Sequence, residues 1–436
     1  MEHTAIEKTI PKWLNERGQI DEVEFARMFL NCKELICVDG AFFSKYGRID
    51  NEDTLKREIY LYLSEYIRSG LPRKVERCLD TMRMEFFRSE LPYQEDRIHV
   101  ANGTIYLDGD FEAKTEFCRY RLPVRYDPVS FTPPARWLQF LEELLEPEDI
   151  LTLQEYMGYC LIPTTRGQKM LIITGRGGEG KSRIGVVMKS ILGCNMNVGS
   201  VAKLEASPFA RADLQHLLVL VDDDLKMEAL SQTNNIKAIV TSEIPMDLER
   251  KGIQSYQGQL HARLMAFGNG SLQAMYDRSF GFFRRQIILS TKPKNPNRKD
   301  DPFLADKLKQ EKEGIFLWCL EGLQRLRRNS YQFTQSRQAR QNLQESVTEG
   351  NNVIAFLQSQ GYFTFDPEGK TTSRALYEVY RDWCSDNSFH PLSDRSFLTA
   401  FKDAAASRGV VHTNHIPIGN GKEARGFCGI RRCSRF

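Results

Sequence analysis

A glycine-rich segment between residues 175 and 182 has the residue types and spacing of a phosphate-binding loop. It fits the pattern GxxxxGK followed by Ser or Thr. Its residues, all candidates for nucleotide binding, are Gly175, Arg176, Gly177, Gly178, Glu179, Gly180, Lys181 and Ser182. In such a loop the backbone N–H groups surround the phosphates, the lysine reaches the β- and γ-phosphates, and the hydroxyl ligates Mg²⁺. The segment therefore predicts a site for ATP and Mg²⁺, with Lys181 as a catalytic cation and Ser182 as a metal ligand.

The residues on either side of this segment have the patterns that such a loop requires. Residues Lys169–Thr174 are mostly apolar and predict a buried strand. After the loop, apolar residues recur at helical spacing from Ile184 to Ile191, and Gly193 would end the helix. Because the N-terminus of a helix has a positive partial charge, this order of strand, loop and helix favours phosphate binding.

An acidic cluster follows the next predicted buried strand, His216–Val221. One aspartate of the cluster would hold the Mg²⁺ shell, and the next would orient and activate the attacking water. Counting forward along the strand selects Asp222 and Asp223, whereas counting back from Leu225 selects Asp223 and Asp224. Asp223 belongs to both sets and is the favoured Mg²⁺ ligand, and all three remain catalytic candidates.

Two further polar positions lie next to later predicted strands. Asn269 ends the strand Leu264–Asn269, and Arg284 and Arg285 precede the apolar run Gln286–Leu289. In ring-forming ATPases an asparagine so placed senses the γ-phosphate, and an arginine so placed can enter the neighbouring subunit's site. The simpler alternatives are a turn residue and a solvated arginine pair. The order of these positions after the two nucleotide motifs favours the catalytic interpretation.

The segment Asp247–Gln257 predicts a hairpin with Lys251 near its tip. Arg250 and Lys251 are candidates for contact with nucleic-acid phosphates, and Tyr256 would either stack on a base or pack internally. An exposed hairpin without a ligand is the simpler alternative.

The order of predicted elements indicates an α/β phosphate-loop ATPase core with a largely parallel sheet, similar to AAA+ proteins. We expect an N-terminal α+β domain over residues 1–134, which would serve oligomerisation or DNA contact. The ATPase core with a helical lid would span 135–330, followed by a linker over 331–351. An Asn-Gly turn at Asn102 predicts a hairpin within the N-terminal domain.

Residues 352–436 predict a winged-helix domain, because two helices are followed by a strand, a turn and a strand. In such a domain one helix enters the major groove and the wing contacts the backbone. The candidate DNA-binding residues are Arg395, Lys402, Lys422 and Arg425. Winged helices also serve as protein–protein modules, and that alternative remains open.

The composition excludes several classes of protein. No run of about 18 apolar residues predicts a membrane span, and the first residues have no apolar signal core, so we expect a protein of the bacterial host cytoplasm. The 10 cysteines and 7 histidines lack the spacing of a zinc site. A net charge of +3 argues against a protein that coats duplex DNA but is compatible with a ring that is basic only inside.

Taken in order, these motifs resemble those of the superfamily III helicases, and most closely the helicase module of phage, plasmid and genomic-island replication proteins related to the poxvirus primase-helicase. The matching positions are Asn102-Gly103, Tyr126-Asp127-Pro128, Gln154–Tyr159, the phosphate loop, the aspartate cluster, Glu249–Gly252, Asn269, Arg284-Arg285, Glu311, Gly314, Trp318 and Gly322. The resemblance implies a homo-hexameric ring that threads one DNA strand and moves 3′ to 5′. It also implies that Lys251 faces DNA and that Arg285 or Arg284 completes the neighbour's ATP site.

The expected function is that of an ATP-dependent DNA helicase for the replication of a phage or mobile element. Its expected partners are single-stranded and forked DNA, with origin DNA, a primase or a loader as further candidates. An initiator that uses ATP as an assembly switch, without processive unwinding, is the main alternative. A ring ATPase that acts on RNA or protein is a third.

Overall fold

Two small sheets form the amino-terminal part of the chain. The computed structural model of the protein describes residues 10–129, 132–225, 233–269, 280–350, 352–387, 389, 391–419 and 422–433. The first sheet and its helices are α1 (Glu22–Cys32), β1 (Leu35–Val38), β2 (Ala41–Ser44), β3 (Gly47–Arg48), α2 (Glu52–Ser64) and α3 (Leu71–Glu85). The second sheet contains β4 (Arg97–Val100), β5 (Gly103–Tyr106), β6 (Phe111–Glu112) and β7 (Arg121–Leu122). Only the first sheet has an apolar core of its own.

The hairpin predicted at Asn102 is confirmed, because β4 pairs with β5 and Val100 lies opposite Gly103. The Asn102 amide donates to the Tyr126 carbonyl at 2.9 Å and accepts from the Tyr126 N–H at 2.8 Å. Val100 and Ile105 of this sheet pack in the same core as the helices that follow residue 134. The domain boundary predicted at residue 134 therefore does not coincide with a boundary between cores.

A five-stranded parallel sheet forms the centre of the molecule, as the alternating pattern predicted. The strands that follow β7 are β8 (Met170–Gly175), β9 (Met196–Val198), β10 (Val219–Asp222), β11 (Met246–Arg250), β12 (Ile253–Gly258), β13 (Arg263–Asn269) and β14 (Gln286–Ser290). The central order is β14-β8-β13-β10-β9, and β11 and β12 form a separate hairpin. Continuous apolar runs such as those of β8 and β10 are typical of strands that are covered on both faces.

Helices cover both faces of this sheet. They are α4 (Ala135–Leu144), α5 (Pro147–Tyr159), α6 (Ser182–Leu192), α7 (Val201–Ala206), α8 (Pro208–Ala212), α9 (Asn234–Thr241), α10 (Phe280–Phe283), α11 (Leu304–Gln310) and α12 (Lys312–Arg328). Within the part of the chain that the structure describes, no helix is both long enough and apolar enough to cross a membrane.

The parallel arrangement places the predicted site residues at two opposite ends of the sheet. β8, β10 and β13 end at Gly175, Asp222 and Asn269, and Asn269 lies opposite Gly175 in the register. β8 and β14 begin side by side, with Met170 opposite Gln286. Arg285 therefore lies at the amino end of the sheet, roughly 20 Å along the strand direction from the glycine-rich loop.

Helices α5 and α12 approach so closely that their backbones touch at two glycines. A Cβ atom at Gly158 would collide with the Cys319 carbonyl of α12. One at Gly322 would collide with the Gln154 carbonyl of α5. Both glycines belong to the motif positions identified in the sequence, and their role here is to permit this contact.

A buried carboxylate joins the same two helices to the segment that follows them. Glu155 has no exposed surface. Its carboxylate accepts from Arg325 Nε at 2.6 Å, from Thr334 N–H at 2.7 Å and from Thr334 Oγ1 at 2.8 Å. These bonds compensate for the cost of burying the charge.

We expect Glu155→Ala to lower the free energy of unfolding by about 2–3 kcal/mol, less than for a fully buried pair because Arg325 is partly exposed. The loss arises because Arg325 and the Thr334 N–H, which are both partly buried, lose their acceptor. Chemical denaturation of the purified variant would measure it, with Glu148→Ala, an exposed carboxylate on the same helix, as the control. Equal midpoints for the two variants would contradict the structural role.

The carboxyl-terminal unit has three helices, a three-stranded sheet and its own apolar core. Its elements are α14 (Asn352–Gln358), β15 (Phe363–Thr372), α15 (Ser373–Asp386), α16 (Asp394–Ala405), β16 (Val411–Gly419) and β17 (Lys422–Arg432), after α13 (Arg337–Gly350). The predicted order of helix, helix and hairpin is present. β15 was not predicted, and it pairs with β17 so that the sheet order is β15-β17-β16. Asn420 and Gly421 of the predicted wing turn lie outside the described residues.

The segment predicted as a linker is docked on the central sheet instead. Most of residues 331–351 form α13, and Ala339 is buried in the main core. Asn342 of α13 donates to the Ile288 carbonyl of β14 at 3.1 Å. The polar composition of this helix concealed the few residues that attach it.

Candidate nucleotide-binding cleft

The glycine-rich segment connects β8 to α6 as a tight loop. Lys181 directly precedes α6, and Ser182 is the first residue of that helix. Gly177, Gly178 and Gly180 have φ angles of 101°, 80° and 109°. Side chains rarely tolerate this left-handed region, so the loop conformation depends on these glycines. Gly175 has a different role, because a Cβ there would collide with the Thr291 hydroxyl and would also lie 2.8 Å from Lys181 Nζ.

A buried ion pair lies inside the loop. Lys181 Nζ donates to the Glu179 carboxylate at 2.9 Å, and both side chains are almost fully buried. The same carboxylate accepts from the backbone N–H groups of Arg176 at 2.6 Å and Gly177 at 3.0 Å. Burial by itself would raise the pKa of Glu179, but the bonds from Lys181 and the backbone outweigh it and hold the pKa below its usual range. Glu179 is therefore an anion that uses three donors of the loop.

A cleft of about 910 Å³ opens in front of the loop. Its lining includes Gly177, Gly178, Gly180, Lys181, Ser182, Asp223, Asn269, Arg136, Gln139, Phe140, Glu143, Arg298, Lys299, Asp300 and Leu304. The cleft thus brings together the loop, the acidic cluster and the end of β13. It also includes two walls that the sequence did not predict, which are α4 and the chain between β14 and α11.

The three aspartates after β10 have different environments. Asp222 is buried, and its carboxylate accepts from the Val201 N–H at 2.7 Å, at the start of α7. Burial raises the pKa of Asp222. Val221 faces α6, because a Cβ atom added to Gly185 of that helix would lie 3.5 Å from Val221 Cγ1. Because strand residues alternate in direction, Asp223 points to the same side as Val221, where it lines the cleft.

The alternation separates a structural aspartate, Asp222, from the two exposed aspartates that follow it. Asp222 stabilises the start of α7, and Asp223 and the exposed Asp224 are placed at the cleft end of the strand. This arrangement favours Asp223 and Asp224, the pair obtained by counting back from Leu225, over Asp222 and Asp223.

Asn269 lies beside the loop at the end of β13. A Cβ atom at Gly177 would lie 3.9 Å from Asn269 Oδ1, which places the amide at the mouth of the loop. The residues that follow, 270–279, lie outside the described residues.

The chain between β14 and α11 supplies a contact to the loop that the sequence did not reveal. The Arg298 guanidinium donates to the Glu179 carbonyl at 3.0 Å and to the Gly178 carbonyl at 3.2 Å. On the other wall, the ring of Phe140 packs against Gly180. No motif marks either residue, and the segment around Arg298 has the charge and proline content of an ordinary surface loop.

The predicted arginine pair lies far from this cleft, at the amino end of the sheet. Arg284, Arg285, Lys169 and Arg166 line a separate cavity of about 470 Å³ with Tyr331 and Phe333. Burial lowers the pKa of Lys169, and the neighbouring Arg284 and Arg285 lower it further. Lys169 Nζ donates to the Arg284 carbonyl. Lys169 was missed in the sequence because a lysine before a strand has no distinguishing pattern.

The predicted hairpin is present as β11 and β12, and its two basic residues differ in environment. Lys251 is exposed at the turn. Arg250 instead donates to Gln215 Oε1 at 2.7 Å and to the Asp39 carbonyl at 3.3 Å. Tyr256 donates to the same Gln215 oxygen at 2.8 Å, so it packs internally. Of the two candidate DNA contacts, Arg250 holds the hairpin on the molecule and Lys251 faces outward.

The candidate DNA-binding residues of the carboxyl-terminal unit are exposed. Arg395 and Lys402 lie on α16, and Lys422 and Arg425 lie on β17. Exposed Asp394 and Asp403 also lie on α16, so the helix has a mixed rather than a purely basic surface.

Comparison with known proteins supports the fold. A model described as a family of unknown function (DUF5906) matches residues 173–285, the stretch from β8 to the arginine pair. An apo structure of the NrS-1 C-terminal region covers 94% of this chain and 99% of that one, with 11% identity and a TM-score of 0.53. A second structure of that region, in its A form, covers 94% and 99% with 10% identity and a TM-score of 0.51. This chain therefore shares its overall fold with the NrS-1 C-terminal region.

Proposed function

We propose that this protein is an ATP-dependent DNA helicase of the superfamily III type, which acts as a homo-hexameric ring in the replication of a phage or mobile element. The observation that supports it is the cleft in which Lys181, Asp223 and Asn269 meet. The basic cavity around Arg285, at the opposite end of the same sheet, suits an adjoining subunit. A cleft at one end and cations at the other match head-to-tail assembly.

In the proposed reaction, water attacks the γ-phosphate of ATP and ADP leaves. Lys181 and the loop N–H groups stabilise the negative charge on the phosphates. Asp224 would orient the water, and Asn269 would polarise it. The positive φ angles of the glycines allow the loop to curve around the phosphates.

Ser182 and Asp223 fit a magnesium site, since a hydroxyl and a carboxylate line the same cleft and Mg²⁺ prefers oxygen ligands. When bound, Mg²⁺ neutralises charge on the β- and γ-phosphate oxygens. Asp222 is not available for this role, because its carboxylate is committed to the start of α7.

The proposed DNA contact is made by Lys251 at the tip of the β11–β12 hairpin. Arg250 and Tyr256 fix the hairpin through Gln215, so the exposed Lys251 is held on a rigid support. The carboxyl-terminal unit, interpreted as a winged helix, would add a second contact through Arg395, Lys402 and its hairpin.

Unwinding of forked DNA with either a 3′ or a 5′ single-stranded tail tests this function. The helicase proposal predicts ATP-dependent strand separation from the 3′ tail. ATP-dependent binding of duplex DNA without strand separation would contradict it and favour the initiator. Turnover that responds only to RNA or to protein would favour the third alternative.

We expect Lys251→Ala to lower the rate of unwinding by about tenfold or more, because each subunit loses one contact with the phosphate backbone of DNA. The rate of ATP hydrolysis without DNA should remain unchanged. Lys203→Ala, which removes an exposed lysine of α7, provides a matched control for net charge. Normal unwinding by the Lys251 variant would show that the hairpin does not grip DNA.

We expect Glu179→Gln to tighten ATP binding by about three- to tenfold, on the order of 1 kcal/mol. The reason is that the carboxylate holds Lys181 and two N–H groups that the phosphates need. Calorimetric titration with a non-hydrolysable ATP analogue would measure the change. Glu142→Gln, an exposed carboxylate on α4, controls for net charge, and weaker binding by the Glu179 variant would contradict competition.

A further inference from the structure

Arg298 contacts the backbone of the phosphate loop from the chain between β14 and α11. It lies between β14 and α11, and its side chain is 24% exposed. Two of the bonds that it donates go to backbone carbonyls, those of Glu179 and Gly178. A third bond, at 3.3 Å, goes to the Asp300 carboxylate.

The bonds to these two carbonyls affect the conformation of the loop. In a phosphate loop the N–H groups point inward, so the carbonyls of the same peptides point outward. A guanidinium that donates to two successive outward carbonyls fixes both peptide planes with one rigid group. The flanking Gly177, Gly178 and Gly180 make the loop easy to deform, which increases the effect of an external support.

Arg298 is itself held in place. Asp300 also accepts from Lys294 at 2.7 Å, and bonds from Lys294 and Arg298 lower the pKa of Asp300. Asp301 accepts from the Phe303 N–H at 2.9 Å and from Lys307 of α11 at 2.6 Å. Leu308 of α11 is buried in the main core with α6. The segment that bears Arg298 is therefore connected to the main core through α11.

We propose that Arg298 is a positioning residue that keeps the phosphate loop in its nucleotide-binding conformation by fixing two outward carbonyls. The inference rests on the proposed nucleotide function of the cleft. Because Arg298 acts through the backbone of the loop, its removal should weaken the binding of ADP and of ATP alike. If Arg298 instead contacted the γ-phosphate directly, its removal would weaken the binding of ATP and leave the binding of ADP unchanged.

Titration calorimetry of Arg298→Ala with ADP and with a non-hydrolysable ATP analogue tests the proposal. The expected result is that both dissociation constants rise about tenfold, which corresponds to about 1.4 kcal/mol. Arg298→Lys can still donate to one carbonyl, so its dissociation constants should lie between those of the alanine variant and those of wild type. Lys309→Ala is the matched control, because it removes an exposed cation of α11 that bonds to Asp306 and contacts neither the loop nor Asp300.

Wild-type affinity for both nucleotides in Arg298→Ala would overturn the proposal, and so would a loss confined to the ATP analogue. Hydrogen exchange of the amides of residues 176–181 gives an independent readout. Exchange should become faster in Arg298→Ala and remain unchanged in Lys309→Ala, and equal exchange in the two variants would also overturn the proposal. If wild type binds neither nucleotide, the proposed function itself fails, which is a distinguishable result.

Discussion

Lys181→Ala should lower the rate of ATP hydrolysis by roughly 10²–10³-fold or more, the largest effect we expect from any single substitution. Lys181 is the cation at the base of the cleft, and its ammonium group is buried, so its attraction for phosphate oxygens is weakly screened. Its loss removes charge stabilisation that water in the cleft cannot replace.

Steady-state phosphate release at saturating ATP would measure this effect. Lys203→Ala, which removes an exposed lysine of α7, should hydrolyse ATP at the wild-type rate and serves as the control. A Lys181→Ala protein that keeps more than about a tenth of wild-type turnover would show that hydrolysis, if present, occurs without the loop lysine.

Arg285→Ala should bind ATP normally and hydrolyse it about 10²–10³-fold more slowly. Arg285 lies at the amino end of the sheet, so within one subunit it cannot reach the cleft at the carboxyl end. In the proposed ring its effect would come from a neighbouring subunit. Arg284→Ala, measured in parallel, would show which of the two arginines has this role.

A mixing experiment separates action across subunits from a local structural effect. Arg285→Ala protein retains an intact loop, and Lys181→Ala protein retains an intact arginine. In an equal and random mixture, about a quarter of the interfaces would combine the two intact halves and regain activity. No rescue at any ratio would remove the role of Arg285 in the neighbour's site.

The strand, glycine-rich loop and helix over residues 170–192 were predictable because the loop motif requires specific residues at fixed spacing. Glycines are needed for positive φ, and Lys181 and Ser182 must stand at the start of a helix. The Asn-Gly hairpin was predictable for the same kind of reason, since its turn depends on local residue types.

Arg298 and Lys169 were not predictable, because their importance comes from contacts between distant parts of the chain. Arg298 bonds to carbonyls more than a hundred residues away, and backbone carbonyls leave no trace in the sequence. The docking of α13 through Asn342 was hidden in the same way, because the acceptor is the Ile288 carbonyl.

The aspartate cluster lies between these cases. Three consecutive acidic residues predicted a site but left its register open. The register depends on which face of β10 packs against α6, and the contact between Val221 and α6 places Asp223 on the side of the cleft. Separating Asp222 from Asp223 therefore required the packing of the sheet.

ATP hydrolysis by the wild-type protein, measured with and without single-stranded DNA, tests the central claim most directly. The proposed helicase should hydrolyse ATP in the presence of Mg²⁺, and single-stranded DNA should raise its turnover, with Lys181→Ala as the inactive reference. ATP hydrolysis at the same rate with and without DNA would contradict the helicase assignment, although the protein would still be an ATPase. The absence of hydrolysis under both conditions would contradict the nucleotide site itself.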